Sequence, residues 1–202
     1  MTGGVRRRLP CLLCLVVLAG CGGGSDSVTV PKGFSVRTVE KPGFSVALPG
    51  AWRSFGDRSH TNAREVAGKN ERLRTELETL ARSDSPIKLV AFDPAAGRRF
   101  YTNMNVLQTQ VPSKLSFDDM ARTETTQISR ASGVTDIRQQ ETRVPAGRTL
   151  RLTYRPRANA VVQQYFVRHG DLLYVLTYTT RPSDAARYAK TFDRSAHTFQ
   201  VG

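Results

Sequence analysis

The chain has 202 residues, 30 lysines and arginines against 17 acidic residues, a net charge of +13, and only three cysteines. That length suits one domain burying roughly 70% of its unfolded surface, and three cysteines exclude a disulfide framework. The cations are mostly arginine and are scattered, with no uniformly basic five-residue run, which argues against a nucleic-acid arm.

The first segment, MTGGVRRR, supplies a positive start through Arg6, Arg7 and Arg8, and Leu9 to Gly20 form a short apolar run. This is the layout of a secretory signal, and the run falls short of the about 20 apolar residues that cross a bilayer. Leu18-Ala19-Gly20-Cys21 resembles the lipobox of bacterial lipoproteins at every position. The resemblance implies cleavage before Cys21 and acylation of that residue with palmitate-type chains. The competing reading is an ordinary signal peptide followed by a free cysteine. Cys11 and Cys14 lie in the discarded run, so a chain acylated at Cys21 keeps no thiol for a metal site or a nucleophile.

Residues 1–20 are therefore expected to be a lipoprotein signal peptide, 21–32 a flexible tether averaging roughly 17 Å in span, and 33–202 the folded domain. Loss of residues 1–20 leaves 27 basic and 17 acidic residues, a net +10. Such a charge fits attraction to anionic lipid head groups or anionic envelope polymers. An ordinary solvated arginine-rich surface is the alternative.

Residues 35–40 and 44–48 alternate in polarity and predict two strands joined by a Pro-Gly turn. The stretch that follows sets Val66, Leu73, Leu77 and Leu80 close to one face, which predicts a helix over about 61–82 with Glu78 and Arg82 at ion-pair spacing. Residues 87–92 and 101–110 are the third and fourth strands. The loop between them carries Arg98 and Arg99 beside Phe100 and Tyr101. Guanidinium groups pair with phosphate or carboxylate in two-point fashion and stack on rings, so Arg98, Arg99 and Tyr101 are the candidate binding residues. Strand alternation would bury one of the two aromatics.

Ser116, followed by Asp118 and Asp119, predicts a capped helix running to about Ala131 and stopping at Ser132-Gly133. Residues 134–144, 149–155, 161–168 and 172–180 predict four strands in consecutive hairpins. In the second of these Leu150, Leu152 and Tyr154 share one face, and Arg151 and Arg155 share the other. LLYVLTY is apolar on both faces, which places it in the middle of the sheet with helices on either side. Pro182-Ser183-Asp184 opens a last helix with Ala185, Tyr188, Ala189 and Phe192 on one stripe. Strands in hairpins with helices inserted among them predict an α+β fold, an α/β/α sandwich around a mostly antiparallel sheet.

Three segments carry a family resemblance: Phe44-Ser-Val46 with Pro49-Gly-Ala-Trp52, the hairpin VVQQYFVRHGDLLYVLTY, and the closing FDRSAHTFQV. Their order is similar to that of PsbP-like domains, a superfamily that includes the PsbP subunit of photosystem II and the LpqN-type lipoproteins of actinobacteria. The likeness spans roughly residues 33–202, and the helix at 61–82 is long for the family. It implies a binding or accessory module without a shared catalytic set or cofactor. For the LpqN type it implies a lipid anchor on the extracytoplasmic face of the cell membrane.

The remaining residues give no catalytic signature. His60, His169 and His197 have no metal-ligand spacing, and no G-x-S-x-G, P-loop or GxGxxG occurs. Trp52 follows a strand, where core packing or turn closure is expected ahead of ligand contact. The reading is a lipid-anchored, non-catalytic binding or accessory protein of the cell envelope, directed to an envelope protein, lipid or anionic polymer and not to nucleic acid. The alternative is an envelope hydrolase whose serine, histidine and aspartate converge only in the fold.

Overall fold

A computed structural model describes residues 28–41, 43–58, 61–81, 85–96, 102–157 and 159–202. The signal segment, Cys21, Arg98, Arg99, Tyr101 and the Arg82 half of the expected Glu78 pair lie outside the described residues. Within them the elements run β1 (Phe34–Val39), β2 (Phe44–Pro49), β3 (Arg53–Phe55), α1 (Ala63–Ala67), α2 (Glu71–Leu80), β4 (Ile87–Phe92) and β5 (Asn103–Gln110). They continue with α3 (Phe117–Arg130), β6 (Thr135–Val144), β7 (Gly147–Arg155), β8 (Val161–His169), β9 (Leu172–Thr180), α4 (Ala185–Ala196) and β10 (Gln200–Val201).

The strands form two sheets in which every pairing is antiparallel. Seven lie in the order β3-β4-β5-β9-β8-β7-β6, and three in the order β1-β2-β10. The expected single sheet is thus divided, because β1 and β2 pair with the chain end at β10 rather than with the main hairpins. β9 is central as its two-sided apolarity requires. Tyr174, Leu176 and Tyr178 enter one core, and Leu173 and Val175 the other.

The core beneath Tyr174 and Tyr178 is closed by α4, through Tyr188, Phe192 and Ala196, and by Phe44, Val46 and Leu48 of the small sheet. Trp52 is buried here, tilted against Tyr188 and edge-on to Phe192, so it is a core residue. On the opposite face α3 covers Leu150, Leu152 and Phe166 with Met120 and Ala121. The same face carries α1 and α2 over Phe55 and Phe92, since β4 sends Leu89 and Ala91 to the α4 side and alternates Phe92 to the other. These are the layers of an α/β/α sandwich, with the small sheet sharing one outer layer.

The single helix expected over 61–82 is two. Gly68 leaves α1 at φ +57, a left-handed value that favours glycine, and Asn70 turns its side-chain oxygen onto the Leu73 N–H at 3.0 Å to start α2. The apolar stripe survives the break, because Val66, Leu73, Leu77 and Leu80 all join one cluster. Helix α3 begins at Ser116 as expected, with the Asp119 N–H donating to Ser116 Oγ at 3.0 Å. No helix among the described residues is long and apolar enough to cross a membrane.

Candidate functional site

The root of the loop that carries Arg98 and Arg99 is described, and it is firmly held. The Asp93 N–H donates to the Thr102 carbonyl at 2.9 Å, which closes the loop at its neck. The buried Asp93 carboxylate accepts from the Ala95 N–H at 2.8 Å and from the Tyr188 hydroxyl at 2.5 Å. The hydroxyls of Thr102 and Thr180 meet at 2.9 Å. Burial, and after it the bond to Asp93, raises the Tyr188 phenol above its ordinary pKa. These bonds fix the described root on either side of the loop.

Beside this root lies a groove of 650 Å³ between β3–β4 and the α1–α2 elbow, with Phe92 and Pro94 in its lining and Arg53 and Lys69 at its walls. Arg53 Nη1 donates to the Val66 carbonyl at 3.3 Å, so the elbow fixes its direction. The one carboxylate of the lining, Glu71, is taken up by Arg74 at 2.6 Å. Lys69, which has no such partner among the described residues, gives the groove a positive character. An aromatic floor with cations at the rim suits an anionic group joined to an apolar body.

A polar cluster occupies the α4 side of β7 and β8. Arg151 lies 3.5 Å from Asp193 and donates to the Gln163 side-chain amide oxygen at 3.1 and 3.3 Å, and the Tyr165 hydroxyl donates to Asp193 at 3.1 Å. Burial holds the Tyr165 phenol protonated far above its usual range. Arg151 is therefore spent on structure. Arg155 pairs with Asp136 at 3.3 Å and stays largely exposed.

Among the described residues two places bring serine, histidine and carboxylate near one another, and neither assembles a nucleophile. At the end of α4 the Ser195 hydroxyl is buried, donating to the Ala47 carbonyl at 2.7 Å and accepting from the Tyr178 hydroxyl at 2.9 Å. His197, exposed, turns Nδ1 to the Asp193 carbonyl at 2.8 Å and not to Ser195. In a second groove, of 700 Å³, Glu40, Ser45 and His169 share a lining with Phe44 and Val201. There Glu40 pairs with Arg58 at 3.1 Å, and the side chains of Ser45 and His169 make no hydrogen bond with each other or with it. Among the described residues no three histidine, cysteine or acidic side chains are grouped to hold a metal.

No protein-family model matches the chain, and no curated protein matches it in sequence. Solved structures do resemble it. The cyanobacterial PsbP of Synechocystis superposes with a TM-score of 0.55 at 14% identity, covering 92% of this chain and 99% of that one. The Ran-binding protein Mog1p of Saccharomyces cerevisiae gives 0.50 at 12% identity, over 83% of this chain and 95% of that one. A Glu65→Ala mutant of Mog1, numbered in that protein, gives 0.51 at 11% identity. The fold is therefore α+β and PsbP-like, the class that the β2 turn, the β8–β9 hairpin and α4 point to.

Proposed function

We propose that the protein is a non-catalytic binding or accessory module, attached through acylated Cys21 to the extracytoplasmic face of the cell membrane, with residues 33–202 as its domain. The observation that carries the binding role is the held root of the 93–102 loop beside the cationic, Phe92-floored groove. It supplies a fixed frame from which Arg98, Arg99 and Tyr101 engage an anionic partner of the envelope. That two structural neighbours are named for PsbP and for Ran binding supports a fold used for association. The bonds that lock Ser195 and the unlinked Ser45, Glu40 and His169 speak against the hydrolase alternative.

The test is crosslinking of the anchored protein in its native membrane, with Arg98→Ala/Arg99→Ala and Arg98→Lys/Arg99→Lys alongside. The alanine pair should lose the crosslinked species, and the lysine pair should restore it only in part, because lysine lacks the two-point fork. Identical crosslinks from all three proteins would remove the loop from the binding role.

A further inference from the structure

We infer that the outward face of α4, together with β1, is the surface that lies against an anionic lipid bilayer. This rests on the anchoring at Cys21 proposed above, and it names which side of the domain that anchor turns inward. In α4 the residues Tyr188, Phe192, Ser195 and Ala196 are buried. At 100° per residue, Arg187, Lys190 and Arg194 fall on the opposite side. All three are exposed. The only acidic residue of the helix, Asp193, is turned to Arg151 on the flank toward β7. The outward face thus carries three positive charges and no carboxylate.

This strip continues onto β1. The Arg194 guanidinium stacks over the Phe34 ring at 5.1 Å, and Arg187 lies over Tyr188 at 5.2 Å. By alternation Phe34 and Val36 share the β1 face opposite Val39, which pairs with buried Phe44; Val36 itself stands open although its partner Ala47 is buried. Val36 is 48% exposed and Val30 is 40% exposed, and these are the large apolar side chains most open to solvent among the described residues. Lys32 lies exposed between them. A pair of exposed valines bordered by cations is the chemistry of a shallow contact with anionic head groups.

Chain length selects the same side. Val30 lies nine positions after Cys21, which bounds their distance at about 30 Å. A chain of this size folds to a body roughly 40 Å across. Helix α3 covers the opposite face of the seven-stranded sheet, and to bring it to the bilayer the chain would have to pass halfway round, roughly 60 Å. The β1 side is within reach and the α3 side is not. Each cation within a Debye length of an anionic surface raises its occupancy about fivefold.

The test uses the full chain, purified from bacterial membranes and placed in vesicles of phosphatidylglycerol and phosphatidylcholine or of phosphatidylcholine alone. Single thiols are introduced as Val36→Cys on the proposed face and Gln127→Cys on exposed α3, and labelled with a membrane-impermeant maleimide. On anionic vesicles Val36→Cys should label at least tenfold more slowly than in detergent, while Gln127→Cys changes less than twofold. Adding Arg187→Gln, Lys190→Gln and Arg194→Gln should return Val36→Cys to its detergent rate. Equal labelling of the two thiols on anionic vesicles, with the acyl mass present, overturns the assignment of the face and leaves the anchor standing. If the acyl mass is absent the anchor falls instead. The face is then decided by co-sedimentation of the chain with the same vesicles, where the triple substitution must weaken binding more than tenfold or the assignment is wrong.

Discussion

Replacing Ser195 by alanine should cost stability and nothing else. Its hydroxyl receives the Tyr178 O–H and donates to the Ala47 carbonyl. The neighbouring Thr198 hydroxyl ties the Ser195 carbonyl and the Ala47 N–H together at 2.6 and 2.7 Å. Ser195→Ala leaves two buried groups, the Tyr178 hydroxyl and the Ala47 carbonyl, without a partner. Each orphaned group costs about 1–3 kcal/mol, so the change should remove about 2–6 kcal/mol. For a chain of this length 3 kcal/mol corresponds to a fall in Tm of roughly 6–12 °C. Tyr178→Phe alone should cost only about 1 kcal/mol, since it deletes the donor and leaves Ser195 bonded to Ala47. In the Ser195→Ala background it should cost less than that or recover stability, a non-additivity of about 1 kcal/mol or more. Urea unfolding followed by the emission of Trp52, the sole tryptophan and a buried one, measures all four proteins. A Ser195→Ala protein within about 0.5 kcal/mol of the parent, or an additive cycle, would refute the network and reopen Ser195 as a free hydroxyl.

Three other outcomes are expected. Gly56 adopts φ +98, and a Cβ there would collide with the Lys88 carbonyl oxygen where β3 meets β4. Gly56→Ala should therefore cost about 2 kcal/mol or more by thermal unfolding, and an unchanged Tm would contradict that packing. Glu124, half-buried one turn beyond Met120 and Ala121 on α3, has its pKa raised by desolvation. A raised carboxyl binds its proton more tightly folded than unfolded, so its contribution is complete below the unfolded value of about 4.3 and is lost as pH rises through the folded value. Glu124→Gln should thus raise Tm at pH 7 and leave it unchanged near pH 3.5; a loss at pH 7 would show that the ionised form is favoured in the fold. Met120→Ala, from a fully buried site, should cost about 2–5 kcal/mol, and a loss below 1 kcal/mol by denaturant titration would place α3 loosely on the sheet.

Strong local patterns passed directly from sequence into the fold. The two-sided apolarity of LLYVLTY put β9 at the centre, and the serine and aspartates at 116–119 marked the start of α3 within a residue. The break within 61–82 is hidden in the apolar pattern because Val66 and Leu73 are seven apart, a spacing that fits one continuous helix as well as two short ones. The letters Gly68 and Asn70 held the break, as a left-handed exit and a cap. β3 and β10, of three and two residues, are too short to show alternation, and their pairing partners are far off in the chain. For the same reason the locking of Ser195 by Ala47, 148 positions away, had no local sign. The stripe carrying Tyr188 and Phe192 was legible as a helical face, but Phe34 beneath Arg194 was not.

The proposed acylation of Cys21 would place the chain at a membrane, and the intact mass of the mature protein tests it most directly. Full-length protein expressed in a bacterial host and extracted from its membranes should have lost residues 1–20 and carry acyl chains, while Cys21→Ser should carry none. A parent protein with the mass of the unmodified chain, or a Cys21→Ser protein with the same added mass, would contradict the lipid-anchored role.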